Sequence, residues 1–248
     1  MPSTSEVGHA KNVANFADLI AYCTDYGATY NPSKTALKLV SLNTLLTSAQ
    51  SELASVTTAK NAFDTATGNR QLAFAPLKSL ATKIFNYLSV TDASEQTIAD
   101  AKTINNKIQG KRAKNTTPEN PGSGQPATNN QVSVSRQSYD MLTENFSALL
   151  DLVASVPSYT PNETELSVAS LTTFRDQLQT ENTNVITAEV AYSNARIARD
   201  KLLYSKDTGL VDIAFDVKKY VKAIFGATSP QYKQISVIKF TNKQKRLT

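Results

Sequence analysis

Apolar residues recur along this chain at helical spacing. Phe16, Leu19, Ile20 and Cys23 fall on one side of a 3.6-residue turn, as do Leu142, Phe146, Leu149, Leu150, Val153 and Val156. The first series predicts a helix over about 12–26 and the second a helix over about 138–155. Each is followed by a Tyr-x-Pro punctuation, at Tyr30–Pro32 and Tyr159–Pro161. Ser33 and Asn162 come next and are candidate caps for the following helix.

That following helix carries a heptad pattern in both places. Leu42, Leu45, Ala49, Glu52, Val56, Ala59, Phe63, Ala66, Arg70 and Ala73 step by alternating threes and fours. Leu171, Phe174, Leu178, Glu181, Val185, Ala188, Tyr192, Ala195, Arg199 and Leu202 do the same. Such a seam wants a partner helix. It is interrupted at the same two places, by Glu52 and Arg70 in one copy and by Glu181 and Arg199 in the other. A Glu and its own Arg lie about 27 Å apart along the helix and cannot touch. If the two helices pack antiparallel, centred near Asn61 and Val190, Glu52 faces Arg199 and Glu181 faces Arg70, fixing the register. The competing reading has these long side chains reaching solvent or pairing within their own copy.

Residues 30–73 slide onto 159–202 without a gap, and 15 of the 44 positions are identical, from Tyr30/Tyr159 to Arg70/Arg199. Self-similarity of this length reports a duplicated supersecondary unit. Asn15-Phe16 extends it to Asn145-Phe146, at an offset of 130. Beyond the long helices, a third helix is expected over about 70–90 and 210–226. Gly68-Asn69 is a candidate break, and Asp207-Thr208-Gly209 a candidate cap and turn. Lys83-Ile84-Phe85 aligns with Ala223-Ile224-Phe225 at an offset of 140. A fourth helix is expected over 93–110, while Gln234–Phe240 reads as β-prone.

The expected fold is therefore all-α: an elongated helical bundle of two internally duplicated helical repeats with long heptad-patterned helices. Its parts are a flexible lead over 1–11, a first repeat over 12–114, a Pro/Gly/Asn-rich linker over 115–137, a second repeat over 138–232 and a basic segment over 233–248. An apolar content of 40% with 19% charged residues fits a folded chain. No 18-residue apolar run and no signal-type apolar region are visible, which favours a cytoplasmic location.

Candidate chemistry is sparse. One cysteine and one histidine, Cys23 and His9, leave no disulfide, no zinc set and no Ser-His-Asp arrangement. Cys23 sits in an apolar series as a core residue, and His9 in a polar terminus. Phosphate-loop, dinucleotide and nucleophile-elbow motifs are absent, so no catalytic, cofactor-binding or metal-ligating residue is nominated. Asn115, Asn145 and Asn162 begin glycosylation-type triplets, which are frequent by chance here.

Charge is the asymmetric property. Residues 217–248 hold eight of the 26 basic residues and none of the 21 acids. Lys218, Lys219, Lys222, Lys233, Lys239, Lys243, Lys245 and Arg246, interleaved with Tyr220, Phe225, Tyr232 and Phe240, are candidate contacts to phosphate or another anionic surface. Lys102, Lys107, Lys111, Arg112 and Lys114 repeat the theme on a smaller scale.

Asp100-Ala101-Lys102-Thr103-Ile104-Asn105 with Lys107–Arg112, and Tyr220–Gly226 with Ser229–Tyr232, resemble segments of a family of duplicated helical proteins of Bacteroidetes-type bacteria. The resemblance covers the ends of both repeats and implies no activity or site residues. The expected role is non-enzymatic: a structural or adaptor protein offering helical surfaces to a protein partner or to copies of itself. The alternatives are nucleic-acid or anionic-surface binding through the basic segment, and membrane activity through rearranging helices.

Overall fold

A computed structural model describes residues 8–111 and 137–242. Residues 1–7 of the expected lead over 1–11, the linker up to residue 136, Asn115, Arg112, Lys114, Lys243, Lys245 and Arg246 lie outside the described residues, and residues 9–11 of that lead belong to a helix. Among the described residues the chain is all-helical, without a strand. The helices are α1 (His9–Asp25), α2 (Leu39–Phe74), α3 (Leu77–Leu88), α4 (Glu95–Gln109), α5 (Tyr139–Ala154), α6 (Val168–Tyr204), α7 (Leu210–Phe225) and α8 (Pro230–Ser236).

Local chemistry explains most boundaries. Ser94, Ser138 and Ser229 accept hydrogen bonds from the backbone amides of Thr97, Met141 and Tyr232, capping α4, α5 and α8. Ser33 and Asn162 do not cap the long helices. A single 3-10 turn, Thr35–Leu37 or Thr164–Leu166, intervenes, and the Ser167 hydroxyl accepts from Ser170 N at the start of α6. Gly68 does not break α2, which runs on to Phe74. One glycine in a helix interior costs about 1 kcal/mol, too little to end a helix that is packed on either side. The β-prone reading of Gln234–Phe240 is also corrected: the Ser229 cap carries α8 through Ser236, and irregular backbone follows.

Two compact units emerge: one draws on both ends of the sequence, the other on its middle. The first comprises residues 1–63 with 188–248, the second residues 64–187. The divisions fall inside α2 and inside α6, so each long helix contributes one segment to each unit.

In the first unit, α1 buries Val13, Phe16, Leu19, Ile20 and Cys23 against Leu42 and Ala49 of α2, Leu203 and Tyr204 of α6, and the buried side of α7. Phe63 stacks on Tyr192 with ring centroids 6.2 Å apart. With Ala49 sharing a core with Leu203, the α2 and α6 segments run in opposite directions here. In the second unit, α5 buries Phe146, Leu149, Leu150 and Val153 against α3, α4 and the α6 residues Leu171 and Leu178.

The third-helix alignment is revised. α3 buries Leu77, Ala81, Ile84 and Leu88, while α7 buries Leu210, Ala214, Val217 and Val221. These match at an offset of 133, not 140. Tyr87 and Tyr220 fall into step with them: each meets the tyrosine of its unit's Tyr-x-Pro turn edge-on, Tyr87 with Tyr159 at 5.2 Å and Tyr220 with Tyr30 at 5.4 Å.

Candidate functional site

The four charged seam residues divide between the two units. Glu52 and Arg199 belong to the first unit, Arg70 and Glu181 to the second. Among the described residues no ion pair joins Glu52 to Arg199 or Glu181 to Arg70, so the expected register pairs are not formed. Arg199 pairs with its neighbour Asp200 at 2.7 Å. Arg70 donates from Nη1 to Asn182 Oδ1 at 3.1 Å, one residue beyond Glu181, and its guanidinium lies 4.1 Å from the Tyr139 ring centroid. Asn182 in turn donates to Asp140. The Tyr139 ring and a neutral amide are the partners Arg70 takes up, and its Nε is buried without a hydrogen-bond acceptor.

The basic segment is only partly available to a ligand. Lys218 turns inward and donates to the carbonyls of Ser236 and Ile238, 5.4 Å from the Phe240 ring centroid. It thereby closes the end of α8, and burial holds its pKa below the ordinary lysine value. Lys219 pairs with Asp216 at 3.2 Å, and Lys222 lies 5.7 Å from the Tyr232 ring centroid. Lys233 and Lys239 are exposed.

The irregular stretch after α8 is held by two asparagines of α1. Asn12 Nδ2 donates to Thr241 O at 2.8 Å, and Thr241 N donates back to Asn12 Oδ1 at 3.0 Å. Asn15 Nδ2 donates to Lys239 O at 2.6 Å, and Phe240 enters the core between them. His9 belongs to this cluster and not to a frayed terminus. Its Nδ1 lies 2.9 Å from Tyr204 Oη and 3.7 Å from Asp200 Oδ1. Sequence reasoning missed Asn12 and Asn15; polar residues on the apolar side of α1 were the available signal.

Each unit also carries an ion pair beside its tyrosine pair. In the first, Lys34 meets Asp216 at 2.8 Å; the bond raises the Lys34 pKa and lowers that of Asp216. In the second, Lys83 meets Glu165 at 2.8 Å. That second pair sits beside an open cleft of about 290 Å³, lined also by Pro76, Leu80, Ser170 and Phe174.

Apolar side chains also face solvent. In the first unit Val190 and Ile197, two turns apart on one face of α6, are 55% and 63% exposed, and Val40 and Val237 are more exposed still. In the second unit Leu72, Val90 and Ile186 are exposed. Comparison with protein-family models, curated proteins and solved structures finds no match for this chain.

Proposed function

We propose that this chain is a non-enzymatic interaction protein, a structural or adaptor component that presents helical surfaces to a protein partner or to copies of itself. The observation that carries the reading is the outward face of α6, where Val190 and Ile197 repeat at seven-residue spacing and are more than half exposed. An apolar helix stripe left open to water is a surface that a second helix or a groove can cover.

The proposal includes the architecture: a duplicated helical unit whose long helices carry heptad seams. Its support is recurrence at constant offset. Tyr30 Oη donates to Leu37 O at 2.7 Å, and Tyr159 Oη donates to Leu166 O at 3.0 Å, each seven residues on.

Light scattering over a concentration series, with pull-down from the native source, tests the role. The wild-type chain is expected to exceed its monomer mass or to capture a defined partner. Val190→Glu with Ile197→Glu is expected to abolish either at unchanged helix content. A monomeric wild type whose captures are indifferent to the double substitution would sink the reading.

A further inference from the structure

The two ion pairs are arranged with a sign rule. In the first unit the cation Lys34 comes from the N-terminal half of the chain (8–111) and the anion Asp216 from the C-terminal half (137–242). In the second unit the cation Lys83 again comes from the N-terminal half and the anion Glu165 from the C-terminal half. The matched burial of α3 and α7 puts Lys83 and Asp216 at equivalent positions of their helices, four residues before Tyr87 and Tyr220. Lys34 caps the turn ahead of α2, and Glu165 lies within the matching turn ahead of α6, two residues after Glu163, the equivalent of Lys34.

Each half therefore carries one sign at both places. A half completing a unit with itself, or with its like from another copy, would bring Lys34 against Lys83 or Glu165 against Asp216. Lys219, which shares Asp216, softens the second clash but leaves the first untouched.

The path of the chain supplies a second observation. Gln137 Nε2 donates to Lys107 O at 2.9 Å, and a Cβ added to Gly110 would lie 3.0 Å from Gln137 Cδ. Gln137, where the described C-terminal half begins, therefore lies against the end of α4, where the described N-terminal half stops.

We propose that the two halves are non-covalent partners, and that Lys34, Lys83, Glu165 and Asp216 form a charge code by which an N-terminal half selects a C-terminal half over another copy of itself. The pairs are exposed, so each contributes up to about fivefold to an association constant, with a like-charge penalty of similar size. The code sets partner choice; the apolar cores hold the halves together.

The test uses the full chain with a protease site placed between residues 111 and 137 and cut after folding. Cut protein is expected to run at the mass of the intact chain, and mass-tagged halves to recombine only as N-with-C complexes. Lys83→Glu is expected to weaken that complex several-fold, and in the uncut chain to lower the melting temperature. Adding Glu165→Lys restores both, because the pair is rebuilt with reversed polarity.

The decisive readout is in this restored variant. Its N-terminal half carries Lys34 opposite a glutamate and its C-terminal half a lysine opposite Asp216, so N-with-N and C-with-C complexes are expected to appear. If the restored variant still forms only N-with-C complexes, or the wild-type halves separate on cutting at micromolar concentration, the proposal is overturned.

Discussion

Asn15 and Asn145 stand at matching positions of α1 and α5 and are 7% and 8% exposed. Asn15 donates to Lys239 O, while Asn145 Nδ2 is buried without a partner. In the first unit the neighbour is irregular backbone with a carbonyl to spare. In the second, α4 packs closely on α5, and its carbonyls are already committed within the helix. Replacing a satisfied donor and an unsatisfied one should therefore have opposite consequences. Asn15→Leu is expected to destabilise by about 1–3 kcal/mol, and Asn145→Leu to be neutral or stabilising. Denaturant melts of the two variants decide it, and equal losses would contradict the assignment. Alkaline pH acts at the same scale. Burial pushes the Cys23 thiol up to about 12 from 9.0, and Tyr159 up to about 12 from 10.0. Tyr30 is also raised by burial, beside Cys23. Their folded values lie above their unfolded ones, so their contribution is whole below about pH 9 and is lost as pH climbs towards 12. The part of the tyrosinate absorbance that is missing from Tyr30→Phe and Tyr159→Phe variants is expected to appear only together with loss of helical circular dichroism. That part forming near pH 10 with the fold intact would contradict it.

Helices were the most legible feature of the sequence, for a physical reason: each shorter one buries one face, and burial of one face writes a 3.6-residue period. The Leu142–Val153 series marks α5 to within a residue or two, and Ser94, Ser138 and Ser229 mark starts by their own hydroxyls. What stayed hidden depended on partners distant in sequence. Lys83-Ile84-Phe85 matches Ala223-Ile224-Phe225 as letters, yet burial aligns α3 and α7 at 133, because only the inward side is compelled to match. Gln234–Phe240 has β-type composition, but Asn15 takes up Lys239 O and Lys218 the carbonyls of Ser236 and Ile238, while Asn12 pairs with Thr241 just beyond, so no neighbouring strand is needed. The turn before α7 is more exacting than its Gly suggests. A Cβ on Gly209 would lie 2.6 Å from Ser205 N and 2.7 Å from Ser205 O, both backbone atoms. Gly209→Ala is accordingly expected to cost about 1–3 kcal/mol and to be felt chiefly at the start of α7. Hydrogen exchange should show faster amide exchange over 205–214, and a silent substitution would remove the close approach from the account.

At the scale of the whole molecule the sequence announced likeness but not assembly. The offset of 129 pairs Tyr30 with Tyr159 and Arg70 with Arg199, yet it carries no record of which segment completes which core. That record lies in side-chain complementarity: Leu42 and Ala49 with Leu203, Lys34 with Asp216, Lys83 with Glu165. Arg70 likewise takes Asn182 and the Tyr139 ring rather than the carboxylate its spacing nominated. The division within α2 has a consequence for synthesis. Residues 64–187 form one unit from contiguous chain, whereas the unit that begins at the N-terminus needs residues 188 onward to close. During synthesis α1 is therefore made with Phe16, Leu19 and Ile20 uncovered, and they stay so until residues 188 onward follow, whereas the contiguous unit has all of its chain earlier.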